Sequence, residues 1–141
     1  MTTQKFFAQP MDVEAAFYQA LERGDIDAMM SVWAEDEEVV CVLLGGSRLV
    51  GHALIREAWQ HIFKHGGRFM VRVLEQTLVS TPFATVSSVL EQISSVEDSN
   101  LRAPIAATNV IVRGPQGWRL VAHHASAVPP NAFMDIPNTL H

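Results

Sequence analysis

Cysteine is almost absent from the sequence: Cys41 is the only one, so no internal disulfide can staple the fold. Nor does any apolar run approach the ~20 residues that a membrane-spanning helix needs. Charge is scarce too, at 18% of residues, and the ten Lys and Arg are scattered among fifteen Asp and Glu for a formal net charge of -5. Without a basic cluster there is no electrostatic footprint for nucleic acid, and that class of partner is excluded. Met1 to Gln9 lacks the apolar stretch and small-residue cleavage site of a signal peptide. With one unpaired thiol, this points to the cytoplasm. Repeats, linkers and low-complexity segments are missing as well.

What is present is apolar side chain, 48% of the 141 residues, enough for one domain with a sizeable core. The surplus predicts a subunit interface. Asp12 is placed to cap a first helix with Val13, Ala16, Phe17, Ala20 and Leu21 at helical spacing and Gly24 to end it. Asp25 caps a second, with Ile26, Met29, Met30 and Trp33 on one face. The acidic group Glu35-Asp36-Glu37-Glu38 reads as a solvated turn. Val39 to Leu44 and Arg48 to Gly51 predict two short strands. From His52, the residues Leu54, Ile55, Ala58, Trp59, Ile62 and Phe63 form a helical stripe that stops at Gly66-Gly67. Four long segments then read as antiparallel strands, Phe69 to Ser80, Ala84 to Ser95, Arg102 to Arg113 and Gly117 to Val128, with turn signals between them. Helices first and strands afterwards imply an α+β domain whose strongly curved, mainly antiparallel sheet wraps three N-terminal helices, with a pocket between them. The tail after Pro129 reads as an irregular arm.

The last strand draws the most attention, because His123 and His124 must point to opposite faces. In a regular register His123, Val121 and Ala125 face the pocket, whereas Trp118, Leu120, His124 and Ser126 face a partner subunit. A one-residue bulge would break that parity. An inward imidazole can act as a general base or bind a ligand. Other candidates are weaker. Ser126 beside His124 has no acid to orient the histidine. His61 and His65 lie one helical turn apart but lack a third metal ligand. Cys41 faces the pocket from the first strand with no adjacent base. Neither a metal nor a cofactor is called for.

Glu22-Arg23-Gly24-Asp25, Trp33-Ala34-Glu35-Asp36, Leu49-Val50-Gly51 and the closing Gly117-Trp118-Arg119-Leu120-Val121-Ala122-His123-His124-Ala125-Ser126 together resemble the SnoaL-like branch of the nuclear-transport-factor-2-like superfamily. The last strand is most similar to that of calcium/calmodulin-dependent kinase association domains. The resemblance covers roughly residues 10 to 128 and implies a cone-shaped, half-open barrel, usually dimeric. Within the same superfamily, the ketosteroid isomerases use a Tyr, an Asp base and a protonated Asp. Alignment places these three on Phe17, Cys41 and a position near Thr108, so the isomerase groups are missing there. Two pocket arginines of the association domains fall on Asn109 and Ala125. The expected pocket wall is therefore Phe17, Met30, Trp33, Cys41, Phe63, Asn109, Val121 and Ala125, with His123 as the catalytic candidate. Two functions follow as expectations. One is binding, or acid–base conversion, of a small apolar ligand by a homodimer that works away from membranes. The other is a non-catalytic assembly module.

Overall fold

The structure, a computed structural model, describes residues 5–97 and 103–129. The expected C-terminal arm, from residue 130 onward, lies outside the described residues.

Helix α1 spans Pro10–Arg23 and α2 spans Ile26–Val32. Helix α1 starts two residues before the expected cap: Gln9 is the capping residue and Pro10 takes the first turn, where its missing N–H costs nothing. It ends as read, with Gly24 left-handed at φ 63°. Asp25 caps α2 by accepting the Ala28 N–H at 3.1 Å. Strands β1 (Val40–Val42) and β2 (Arg48–Val50) form a short hairpin ahead of α3 (His52–His65). Strands β3 (Phe69–Ser80), β4 (Ala84–Ser95), β5 (Ile105–Gly114) and β6 (Gly117–Ala127) follow.

The six strands form one sheet in the order β2-β1-β6-β5-β4-β3. Among the strand pairs of the described residues, β1 and β6 run parallel and the others are antiparallel. The three helices pack on this mixed sheet, which does not close. Helix α1 lies against β3, β5 and β6, and α3 reaches it through α2 and β2. The main core is Phe17, Met29, Val32, Trp33, Ile55, Trp59, Ile111 and Leu120, all buried.

A bulge in β6 decides which residues meet that core. Asn109 pairs with His123 and Val110 with Ala122, but Ile111 pairs with Leu120, leaving Val121 as the extra residue. The inward positions of β6 are therefore His123 and Ala125 after the bulge, and Leu120 and Trp118 before it. Both of the latter are buried in the core. The expectation that Trp118 and Leu120 share the outer face with His124 and Ser126 is thus corrected. His124 and Ser126 do lie exposed on the outer face, paired with Thr108 and Ala106.

Candidate functional site

Between α1, α3 and the strands β4 to β6 lies a cavity of about 790 Å³, within the size range of small-molecule pockets. Its walls are mostly apolar: Phe17 and Leu21 from α1, Trp59 and Ile62 from α3, Phe69 and Ile93, and Ala125 from β6. Leu43, Leu44, Gly66, Pro104 and Ala103 border it where the loops meet. Gly66 fits this crowded edge because a Cβ there would stand 2.7 Å from the Ile62 carbonyl and 2.9 Å from the Phe69 ring. The two deep polar groups in the lining are His123 and Glu91.

His123 sits on the inward face because β6 is paired on both sides, His123 opposite Asn109 of β5 and Cys41 of β1. Its Nδ1 lies 2.6 Å from the Asn109 side-chain oxygen. The Phe17 ring covers it at a centroid distance of 4.9 Å. Burial, and then the neighbouring His124 charge, pulls its pKa down from 6.5 to about 4, so at neutral pH it is an uncharged imidazole.

Glu91 comes from β4, whose inward positions Thr85, Ser87, Val89 and Glu91 are buried in strict alternation. It accepts the Tyr18 hydroxyl at 2.5 Å. Burial pushes the Glu91 carboxyl above the usual carboxylate range; the Tyr18 hydrogen bond opposes this and the Glu14 charge adds to it. The Tyr18 hydroxyl is likewise pushed up, by burial first and by Glu91 next, and stays protonated.

A second carboxylate, Glu14, is buried one helical turn before Tyr18. It accepts the Asn109 amide at 3.0 Å and the Gln76 amide. Gln76 in turn reaches Ser87 at 3.3 Å. Every buried carboxylate in the site thus has hydrogen-bond donors, as burial requires.

Of the residues expected to line the pocket, Phe17, His123 and Ala125 do so. Asn109 stands one layer back, holding His123. Met30, Trp33 and Cys41 are buried in the core beside the cavity, Val121 packs against that core as the bulged residue, and Phe63 stacks on Trp59 at 5.6 Å. Burial drives the Cys41 thiol up to about 12, so it is inert at neutral pH. His61 and His65 stack on each other, and among the described residues no three His, Cys, Asp or Glu side chains group as metal ligands.

Sequence reasoning missed Glu14, Tyr18 and Glu91. The family resemblance sets Phe17 at the hydroxyl position and no acid at the other two, whereas the structure brings together the adjacent Tyr18 and a glutamate 73 residues further on. One signal was present: Glu14 lies three and four residues before Phe17 and Tyr18, on the stripe of α1 that also carries Val13 and Leu21.

A family model described as a SnoaL-like domain matches residues 11–130. The chain belongs to the SnoaL-like domain family. Among solved structures, this SnoaL-like domain is similar to a provisionally assigned calcium/calmodulin-dependent protein kinase type II association domain from Thiobacillus denitrificans. The two are 34% identical with a TM-score of 0.83, covering 89% of this chain and 99% of that one. It is also similar to a provisionally assigned dehydratase of the NTF2-like family from Streptomyces avermitilis, 29% identical with a TM-score of 0.75, covering 84% and 93%. An NTF2-like protein of unknown function from Pseudomonas putida shares the fold at 16% identity and a TM-score of 0.74, covering 93% and 92%. No curated protein matches the chain.

Proposed function

We propose that this SnoaL-like domain binds a small, uncharged, apolar and cyclic molecule in its cavity and acts on it by acid–base chemistry. The carrying observation is the pair of deep polar groups in an otherwise greasy pocket, a neutral His123 and a Glu91 biased toward its protonated form. A neutral imidazole accepts a proton and a protonated carboxyl gives one, so opposed shifts assign the roles of base and acid. An anionic ligand would meet no cation among the deep lining groups, and burying its charge beside Glu91 is unfavourable.

The similarity to the Streptomyces protein suggests elimination of water as the reaction class. His123 takes a proton from the carbon beside a carbonyl, Glu91 protonates the leaving hydroxyl, a C=C bond forms and water departs. Glu91 regains its proton from His123 through the solvent as the product leaves. The test is conversion of a cyclic β-hydroxy ketone, 3-hydroxycyclohexanone, to its enone, followed by absorbance. Wild-type protein should accelerate it, with His123→Gln and Glu91→Gln each lowering the rate at least ~100-fold, the usual size of an acid or base contribution. Equal rates for all three would reject the assignment.

The outer sheet face supports the homodimer. Val79, Val86 and Leu90 on β3 and β4, with Val110, Val112 and Ala122 on β5 and β6, share that face around His124 and Ser126, and Val79 and Val86 are exposed. Such a patch fits a second copy related by a twofold axis. The kinase-association-domain likeness favours an assembly role as the second reading, which a ring larger than a dimer would support. The absence from the described residues of any helix long and apolar enough to cross a membrane, together with the single buried thiol, fits work in the cytoplasm.

A further inference from the structure

We infer that Glu14 and Asn109 are positioning residues that hold His123 in the tautomer protonated on Nδ1, leaving Nε2 as its proton acceptor. The inference deepens the proposed acid–base reading, because it explains how the base is presented with its lone pair available. It depends on that reading only for its use.

Three buried polar side chains from three elements meet in a line: Glu14 of α1, Asn109 of β5 and His123 of β6. A carboxylate has no hydrogen to give, so Glu14, already accepting from Gln76, draws the amide nitrogen of Asn109 to itself at 3.0 Å. The amide oxygen of Asn109 must then face the other way, toward His123 Nδ1 at 2.6 Å. An amide oxygen can only accept, so Nδ1 carries the hydrogen. In a neutral imidazole, that leaves Nε2 bare.

The ring cannot readily turn to reverse the assignment. Phe17 covers it, and β6 is locked between β5 and β1 at this residue. An apolar core would fill the same space without burying a carboxylate and an amide, and half-satisfied polar networks are costly. Orientation of the histidine is what this arrangement supplies beyond packing, as the hydrogen-bond partners behind functional histidines do elsewhere.

The test uses the full chain labelled with 15N at its six histidines, observed by long-range proton–nitrogen correlation at pH 7. His123→Gln assigns the signals of position 123. In wild type, Nδ1 should resonate as a protonated nitrogen and Nε2 as an unprotonated one. The reverse pattern overturns the inference, and if His123→Gln does not fold, backbone-to-side-chain correlation in wild type makes the same assignment. Asn109→Leu should move the tautomer ratio at least about tenfold toward the Nε2-protonated form, roughly the loss of one ordinary hydrogen bond. Glu14→Gln, which lets the Asn109 amide face either way, should move it in the same direction. An unchanged ratio in folded Asn109→Leu or Glu14→Gln protein contradicts the positioning role of the residue changed. A correct tautomer in a protein that never dehydrates the probe ketone would refute the proposed function and leave this inference standing. Dehydration with the opposite tautomer would do the converse.

Discussion

His123 and Glu91 couple stability to pH in opposite directions. The folded pKa of His123, about 4, lies below the ordinary 6.5. The native state therefore favours the neutral ring, and its contribution is fully present above pH 6.5 and lost as pH falls through 4. Urea unfolding should show wild type losing about 3 kcal/mol relative to His123→Gln between pH 7.5 and pH 4. Glu91 is raised above its ordinary 4.5, so its contribution is fully present below that value and lost as pH rises through its folded pKa. Glu91→Gln should accordingly gain on wild type as pH rises from 4 to 8, and a flat difference would mean that Glu91 is ionised in the fold. Neither residue announces this chemistry by local sequence. His123 was legible because a strand must send one of two adjacent histidines inward. Glu91 and Tyr18 were not, because their pairing spans 73 residues and depends on how α1 crosses the sheet.

At the scale of elements, β3 and β4 match their expected bounds residue for residue, since Thr81 and Pro82 punctuate two segments whose ends nothing else disputes. The bulge in β6 was hidden for a physical reason. Apolar residues occupy both faces of this strand near Val121, so a one-residue shift changes parity without breaking the hydrophobic pattern. The shift is measurable. Leu120→Ala empties an inward, fully buried site and should cost about 2–5 kcal/mol by the ~20–25 cal/mol per Å³ typical of cavities, whereas His124→Ala on the outer face, compared in protein made monomeric by lysines on that face, should stay within about 0.5 kcal/mol. Comparable effects at the two positions would contradict the register. Gly117 opens the same strand at φ 89°, with Phe7 backbone so near that a Cβ would stand 2.7 Å from its carbonyl. Gly117→Ala should destabilise by at least ~1 kcal/mol in the same unfolding assay, through left-handed strain and that clash.

For the whole molecule, the α+β class and the pocket between helices and sheet follow from element order alone, whereas the depth and polarity of the pocket floor required the fold. The apolar outer face makes a separate claim. Sedimentation velocity should find a dimer, and Val86→Lys with Val110→Lys, placed opposite each other on that face, should yield a folded monomer. A wild-type monomer would remove the sheet interface from the account.

The cavity's preference for a neutral ligand held by Glu91 is the central claim. Isothermal titration of wild type, His123→Gln and Glu91→Leu with 1-tetralone and with 1-naphthoate measures this directly. The neutral ketone should bind wild type at least about tenfold more tightly than the anion. Its carbonyl can only accept, so Glu91→Leu, which removes the donor, should lose at least about tenfold for the ketone, the effect of one buried hydrogen bond, whereas His123→Gln, which removes an acceptor, should not weaken it. Equal affinity for the anion, or Glu91→Leu protein that binds the ketone as wild type does, would contradict the account.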